Sequence, residues 1–293
     1  NEYNLAKYNR DGAVKLRDVL FLCHAKPRDK EQEALFKKVV DGTLETPDTW
    51  EVALSGGANK SEAWARLLAE KKLGALALLR NLRNMNDAGI SKDAVKSALL
   101  EMNTERVLPF RFIAASRAIP QWEDILESPM LKCLDGREKL PGKTALLVDN
   151  SGSMHGPKVS AKSDIDRADA ACALAILIRE ICDNPLIIGF GTEAKIMPPR
   201  RGFALRDAIK SGPGGGTNIQ TAINLANAQG YDRIIIITDE QSHQAVQPPN
   251  GKGCVINVAS YQNGVGYGPW THIDGWSEAV VDYIEMTERV GLA

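Results

Sequence analysis

An apolar run that ends in an acid and two hydroxyls constrains this chain more than any other feature. The run covers residues 144–148 (Thr-Ala-Leu-Leu-Val), and Asp149, Ser151 and Ser153 follow it directly. A short apolar run predicts a buried strand, and open α/β sheets bind ligands where their parallel strands end. Oxygen ligands at i, i+2 and i+4 of a tight turn can converge on one small, hard cation. The sequence therefore predicts half of a metal site here.

Two later stretches offer the remaining oxygen ligands. Thr217 ends a glycine-rich loop, residues 212–217, directly before a helical pattern. Asp239 follows a second apolar strand pattern, residues 233–238. In a parallel sheet Asp149 and Asp239 would lie at the same edge, with Thr217 presented between them. The sequence thus predicts five oxygen ligands that converge from three separate loops.

These three motifs, in this order, resemble the metal-ion-dependent adhesion site of von Willebrand factor A domains. The five matching residues are Asp149, Ser151, Ser153, Thr217 and Asp239. The resemblance implies Mg²⁺, or Mn²⁺, held by few protein groups and several waters, with one position open for an acidic group of a ligand. The octahedral, water-retaining coordination of Mg²⁺ fits such a site.

The two halves of the chain differ in their secondary-structure patterns. From residue 11 to about residue 133 the apolar spacing is helical, and the strongest segment predicts a helix over residues 72–85. Short helices joined by tight turns favour an α-solenoid of HEAT-like repeats. After a Leu140-Pro-Gly linker, strands alternate with helices, which predicts a doubly wound, mostly parallel, Rossmann-like sheet. We therefore predict two domains, residues 1–140 and 141–293.

Two stretches of the helical half resemble the TROVE module of the Ro autoantigen family. Residues 78–85 (Leu-Leu-Arg-Asn-Leu-Arg-Asn-Met) match the L-x-R-N-L-R-N-M sequence of that module, and residues 17–27 resemble its K-D-L-L-R-L-S-H-x-K-P stretch. A TROVE module followed by a von Willebrand A domain is the Ro architecture. The part before the A domain is shorter than the usual module, so the resemblance implies a partial or shortened TROVE part.

The Ro resemblance implies a nonenzymatic RNA-binding protein that acts as a chaperone or scaffold. Members of that family bind Y RNAs and the single-stranded ends of misfolded RNAs, so small noncoding, Y-like RNAs are the expected partners and DNA is not. The A domain is expected to recruit an acidic partner, such as a nuclease or an RNA-processing protein. The expected RNA contacts are basic or imidazole side chains near helix ends: Lys15, Arg17, His24, Lys26, Arg28, Arg80 and Arg83.

Arg80 and Arg83 are three residues apart in the predicted helix, so we expect them to share one face, as phosphate contacts require. Two other functions use the same residues. A metal-dependent protein-binding module would use the helical half as a scaffold without RNA. An aspartyl phosphatase would attack the phosphorus atom of its substrate with Asp149 and hold Mg²⁺ with Asp239. Such enzymes require a second acid at the position where this chain has Ser151.

Composition limits the cellular setting of the chain. No run reaches the ~18–20 apolar residues that cross a bilayer, and the first residues lack a signal-peptide core. We therefore expect a cytoplasmic protein without a membrane partner. The five cysteines are widely spaced and form no C-x-x-C pair, which argues against a disulfide framework or a cysteine zinc site. With a net charge of −1, RNA binding would depend on local basic clusters.

Overall fold

The chain folds into two compact units in a computed structural model. The structure describes residues 1–9, 12–46, 49–55, 59–105, 107–160, 163–241, 246–259, 268–275, 277 and 279–290. The first unit comprises Asn1–Leu73 with Met85–Ser91, and the second comprises Gly74–Asn84 with Lys92–Ala293. Within these described ranges, no helix has the length and apolar character that crossing a bilayer requires.

The first unit is helical. Its segment Asn1–Leu73 contains α1 (Glu2–Tyr8), α2 (Leu16–Leu22), α3 (Lys30–Asp41), α4 (Trp50–Ser55) and α5 (Lys60–Ala69). Helix α3 begins where the Asp29 side chain accepts a hydrogen bond from the Gln32 N–H (2.7 Å), and it ends at Gly42 in the left-handed conformation. Trp50 stacks on the buried Trp64 with ring centroids 6.3 Å apart, so aromatic packing joins α4 to α5.

Five further helices precede the sheet: α6 (Ala75–Arg80), α7 (Leu82–Asp87), α8 (Lys92–Glu101), α9 (Pro109–Ala118) and α10 (Glu123–Lys132). The single helix predicted over residues 72–85 is therefore two helices. Asn81 separates them, and its side chain donates a hydrogen bond to the Ala77 carbonyl (2.8 Å). Asn side chains compete in this way with the backbone and favour helix ends. Arg80 and Arg83 consequently lie on two consecutive helices, and their expected shared face stays a prediction.

A six-stranded sheet forms the centre of the second unit, in the order β3-β2-β1-β4-β5-β6. The strands are β1 (Leu140–Asp149), β2 (Cys182–Phe190), β3 (Ala194–Ile196), β4 (Arg233–Thr238), β5 (Lys252–Asn257) and β6 (Thr271–Asp274). Only the β2–β3 pair is antiparallel among these six strands. The predicted fold class, helices followed by a mostly parallel Rossmann-like sheet, is confirmed. Because the strand order reverses between β1 and β4, a ligand crevice is expected where these two strands end.

The sheet begins earlier than the sequence patterns indicate and includes a strand that they do not reveal. The predicted Leu140-Pro-Gly linker is the first part of β1, with a register shift between Leu140 and Lys143 and a left-handed Gly142. Strand β6 has only four residues and is half-buried rather than apolar throughout, so it carries no clear strand signal. The domain boundary at residue 140 stays a prediction, because the compact units divide the chain differently.

Helices cover the sheet: α11 (Arg167–Ile181), α12 (Gly202–Lys210), α13 (Ile219–Gln229) and α14 (Ala279–Val290). Alternate residues of a strand face opposite sides of its sheet. Ala145 and Leu147 of β1 pack in one core with Ile219 and Ile223 of α13. Helix α11, buried along almost all of its length, packs against β1, β2 and β4 and also against α9 and α12. The strands that carry the predicted ligands are therefore held in a rigid core.

Candidate metal centre

The turn after β1 brings the first three predicted ligands together. The Asp149 carboxylate accepts hydrogen bonds from the Ser151 N–H (2.8 Å) and the Thr238 hydroxyl (2.6 Å). The hydroxyl oxygens of Ser151 and Ser153 are 3.3 Å apart. Asp149 is 1% exposed and Ser151 is also buried. A buried carboxylate and two hydroxyls thus converge at the end of β1, as the sequence predicts.

The glycine-rich loop that carries Thr217 is attached to this turn. The Gly152 N–H donates to the Gly215 carbonyl (2.8 Å). From the neighbouring position, the Asn150 side-chain amide donates to the carbonyl of Pro213 (3.3 Å) at the start of the loop. Thr217 itself is buried. These contacts hold the fourth predicted ligand on a fixed loop beside the turn. No sequence pattern identifies the role of Asn150.

A second turn, residues 191–193, supports the same loop from the end of β2. The Gly191 carbonyl accepts from the Asn218 N–H (2.8 Å), and the Thr192 N–H donates to the Gly214 carbonyl (2.9 Å). The two backbones approach so closely that a Cβ at Gly191 would lie 2.3 Å from the Gly214 oxygen. Only glycine fits at this position, so Gly191 sets the placement of the loop that carries Thr217.

Asp239 follows β4 beside Asp149, but its carboxylate has a protein partner. One oxygen pairs with the Arg167 guanidinium at 2.8 Å, and the other accepts from the Gln241 N–H at 3.3 Å. Both Asp239 and Arg167 are buried. Arg167 lies in the first turn of α11, 72 positions from Asp239 in sequence, and no sequence signal identifies its role. Because its oxygens have these partners, Asp239 would act on a cation most simply through a bound water.

The electrostatics of the site favour a cation. Burial is the main cause that raises the pKa of Asp149 to about 6, and the Asp239 charge raises it further, whereas hydrogen bonds from Ser151 and Thr238 lower it. The site contains two buried carboxylates, Asp149 and Asp239, and one guanidinium, Arg167. A dication would compensate the remaining negative charge. Asp149, Ser151, Ser153 and Thr217 would hold it, and this all-oxygen set suits Mg²⁺. Bound there, the ion would supply a position for an acidic group of a ligand.

Two domain families match the chain, one after the other along its sequence. The TROVE domain matches residues 42–167, and the von Willebrand factor type A domain matches residues 144–241. This chain joins a TROVE domain to a von Willebrand factor A domain. The predicted domain order is thereby confirmed. TROVE domains belong to a family known for RNA association, and von Willebrand A domains often carry a metal site.

Similar proteins agree with this assignment over different parts of the chain. Telomerase protein component 1 from Mus musculus is 37% identical over 91 residues, which are 29% of this chain and 4% of that protein. The Rattus norvegicus protein of the same description is 35% identical over 91 residues, again 4% of its length. The crystal structure of the Deinococcus radiodurans RO (RSR) protein has a TM-score of 0.65 at 18% identity, covering 96% of this chain and 73% of that one. This likeness shows the fold.

The basic residues predicted to contact RNA lie on the surface of both units. In the first unit, Arg17, His24, Lys26 and Arg28 are exposed on α2 and on the segment between α2 and α3, and Lys15, which caps α2, is half-buried. These five lie along one short stretch of chain. Arg17 is 3.5 Å from the Asp18 carboxylate. Their role in RNA binding stays a prediction.

In the second unit, Arg80 and Arg83 are exposed, and Arg80 lines an open groove. The groove has a volume of about 470 Å³ and runs beside α6 and α9. Arg111 of α9 lines it too, with its guanidinium 4.5 Å from the centre of the Phe110 ring. The sequence analysis did not identify Arg111 or Phe110, because both fit an ordinary amphipathic helix.

Substituting Ala for Gly191 is expected to destabilise the chain by about 1–3 kcal/mol, because the new Cβ would overlap backbone atoms of Gly214. The loop with Thr217 must then move, so Mg²⁺ affinity should fall as well. Urea unfolding with and without Mg²⁺ measures both effects. Gly74→Ala is the control, since no atom lies within 4 Å of a Cβ there. Equal stability of the two variants would contradict the assigned role of Gly191.

Proposed function

We propose that this chain is a nonenzymatic, RNA-binding protein whose A domain holds Mg²⁺, or Mn²⁺, for an acidic ligand. The observation that carries the RNA part is the groove beside α6 and α9. Arg80 and Arg111 are exposed in it, and Arg111 lies over the half-buried Phe110 ring. Arginine guanidinium groups bind phosphates, and aromatic rings stack on unpaired bases.

The charges around the groove leave Arg80 and Arg111 as its phosphate-binding groups. A third arginine of the groove, Arg117, forms ion pairs with the carboxylates of Asp166 and Asp169, at 3.4 and 2.5 Å. Asp164, the acid in the groove, pairs with Lys158 at 2.9 Å, which offsets its repulsion of phosphate. A groove with two available guanidinium groups and one aromatic ring suits a single-stranded segment better than a duplex.

The proposed RNAs are small noncoding, Y-like RNAs and misfolded RNAs with free single-stranded ends, and the proposed role is that of a chaperone or scaffold in the cytoplasm. The TROVE domain supports this class of partner. DNA and membranes are not proposed as partners. The residues of the first unit, Lys15 to Arg28, would add further phosphate contacts.

The A domain is proposed to bind an acidic group of a protein partner, such as a nuclease, through the metal. Both oxygens of Asp149 already accept hydrogen bonds, from Ser151 and Thr238. This arrangement supports holding a cation over attacking a phosphorus atom. The neighbouring position at i+2 is a serine, so the site also offers no second acid for proton transfer.

RNA binding is tested by gel shift with a structured small RNA that has a single-stranded 3′ end. Binding should be saturable and should weaken with salt, because each neutralised phosphate of a single strand contributes a slope of about −0.7 in log affinity against log salt. The double variant Arg80→Ala/Arg111→Ala should lose affinity by about 10- to 100-fold and show a shallower slope. Arg17→Ala/Lys26→Ala tests the first unit in the same way.

The control is Lys96→Ala/Lys195→Ala, which removes the same charge from exposed positions outside the groove. If it weakens binding as much as the groove variant does, the groove has no specific role. If the unchanged chain binds no RNA at low salt, with or without Mg²⁺, the RNA function is wrong. A metal-dependent protein-binding scaffold would then be the remaining function.

A further inference from the structure

Three potential metal ligands meet beside the oxygen site but outside its set of residues. Glu240, His272 and Asp274 each offer one ligand atom, and these atoms lie within 4.8 Å of one another. Glu240 follows β4, whereas His272 and Asp274 lie on β6, two strands away. In the parallel register Thr238 is opposite Asn257, and Asn257 is opposite Asp274. The ends of the three strands are therefore level, which brings Glu240 and the β6 residues together.

Glu240 is a buried acid with an unpartnered oxygen. Its side chain is 0% exposed. One carboxylate oxygen contacts the Nε2 atom of His272, and the other has no hydrogen-bond partner. Leaving a buried acceptor unsatisfied costs about 1–3 kcal/mol, and more when the group is charged. Because its other oxygen contacts the His272 ring, the Glu240 side chain is directed into the cluster, where a cation would satisfy the carboxylate.

The β6 residues are held in place by their neighbours. His272 and Asp274 are two positions apart on a strand, so their side chains lie on the same face of the sheet. The Nδ1 atom of His272 is 3.5 Å from an Asp274 oxygen. The buried Asn257 amide donates to the other Asp274 oxygen (3.2 Å), while its own oxygen accepts from the Ala259 N–H (2.9 Å). Such outer partners orient metal ligands and raise affinity.

We propose that Glu240, His272 and Asp274 form a second cation site, for a transition-metal dication of the Zn²⁺ class. An imidazole nitrogen with carboxylate oxygens suits Zn²⁺, whereas the oxygen-only set around Asp149 suits Mg²⁺. Three protein ligands leave one tetrahedral position for water or for a ligand atom. The two sites lie next to each other, since Asp239 and Glu240 are consecutive, and they select different metals by ligand chemistry.

The test is a calorimetric titration of Zn²⁺ into the full chain, first freed of metal with a chelator and then kept in excess Mg²⁺. We expect one Zn²⁺ per chain. His272→Gln should weaken Zn²⁺ binding by more than about 100-fold, because it removes the only nitrogen ligand of the set. His24→Gln, a change of the same type at an exposed histidine, should leave Zn²⁺ affinity unchanged. Co²⁺ absorption in the visible range gives a second readout of the nitrogen ligand.

Two further variants allow the proposal to be tested even if His272→Gln does not fold, and separate the second cation site from the Mg²⁺ site. If His272→Gln does not fold, as judged by circular dichroism, Asp274→Asn replaces it, because that side chain is 46% exposed. It should weaken Zn²⁺ binding by about tenfold or more. Equal Zn²⁺ affinity in the variants and the unchanged chain would overturn the proposal and leave only a hydrogen-bonded contact between Glu240 and His272. The variant Asp149→Asn separates the two sites, since it should lose Mg²⁺ binding and retain Zn²⁺ binding.

Discussion

Replacing Asp149 by Asn should abolish the stabilisation of the chain by Mg²⁺. A ligand present at about 100 times its dissociation constant adds about 2.7 kcal/mol to the free energy of unfolding. Asn keeps the shape of the side chain but removes the charge from a position where burial is nearly complete. Without that charge the remaining oxygen ligands, Ser151, Ser153 and Thr217, are neutral. Thermal unfolding at several Mg²⁺ concentrations measures the effect.

Asp183→Asn is the matched control, because Asp183 is exposed at the opposite end of the sheet. An undiminished Mg²⁺ response in Asp149→Asn would show that the cation binds elsewhere. The response should also depend on pH. The pKa of Asp149 is about 6, above the ~3.9 of an unfolded aspartate, so its contribution to the stability of the metal-free chain is lost as pH rises from about 4 through 6. Mg²⁺ stabilisation should grow over the same interval.

Replacing Arg233 by Met should destabilise the chain by about 3–5 kcal/mol, because it removes a buried guanidinium and leaves the Glu288 carboxylate, which is only 13% exposed, without its closest partner. Arg233 begins β4 and forms two contacts of 2.5 Å with the carboxylate of Glu288 in α14. Its guanidinium also donates to the carbonyl of Pro141 (2.7 Å) and to the hydroxyl of Thr144 (3.0 Å). One side chain thus joins α14 to β1 and β4. Urea unfolding measures the loss.

The control for this ion pair is Lys252→Met. Lys252 also faces Glu288, at 3.9 Å, but its side chain is 40% exposed against 6% for Arg233. Exposed ion pairs contribute about 0–1 kcal/mol, so the control should change the free energy of unfolding by no more than that. Similar losses for both variants would mean that burial does not set the strength of the Arg233 contact. The double variant Arg233→Met/Glu288→Met should recover much of the lost stability.

The apolar runs of strands β1 and β4 could be predicted from the sequence because their residues are buried. Residues 144–149 and 233–238 are buried throughout, and a parallel strand covered on both faces gives such a continuous apolar run. The helical segment over residues 72–85 was harder, since Leu and Ala spacing continues across Asn81. The side chain of Asn81 turns back to the Ala77 carbonyl and ends the first helix there. The spacing of apolar residues indicates which face of a helix is buried. It does not indicate where a side chain competes with the backbone for hydrogen bonds.

The sequence determined which residues can bind a hard cation and at which ends of which strands they stand. Acids and hydroxyls that directly follow the apolar strands of a parallel sheet lie at the carboxyl edge of that sheet. The positions of Asp149, Ser151, Ser153 and Asp239 follow from this local pattern, and the alternation of strands and helices predicts the class of the sheet. Whether metal occupies the site stays a prediction that the Asp149 variant tests.

Only the tertiary structure decided which charges meet. Arg167 pairs with Asp239 across 72 positions of sequence, and Glu240 reaches His272 across 32. Arg111 joins Arg80 in one groove although the two lie on separate helices. Each contact depends on how strands and helices pack, because the residues around a side chain in the sequence do not identify a partner that lies far along the chain. The oxygen ligands could therefore be predicted one loop at a time, whereas the neutralising arginine, the second ligand cluster and the basic groove required the folded chain.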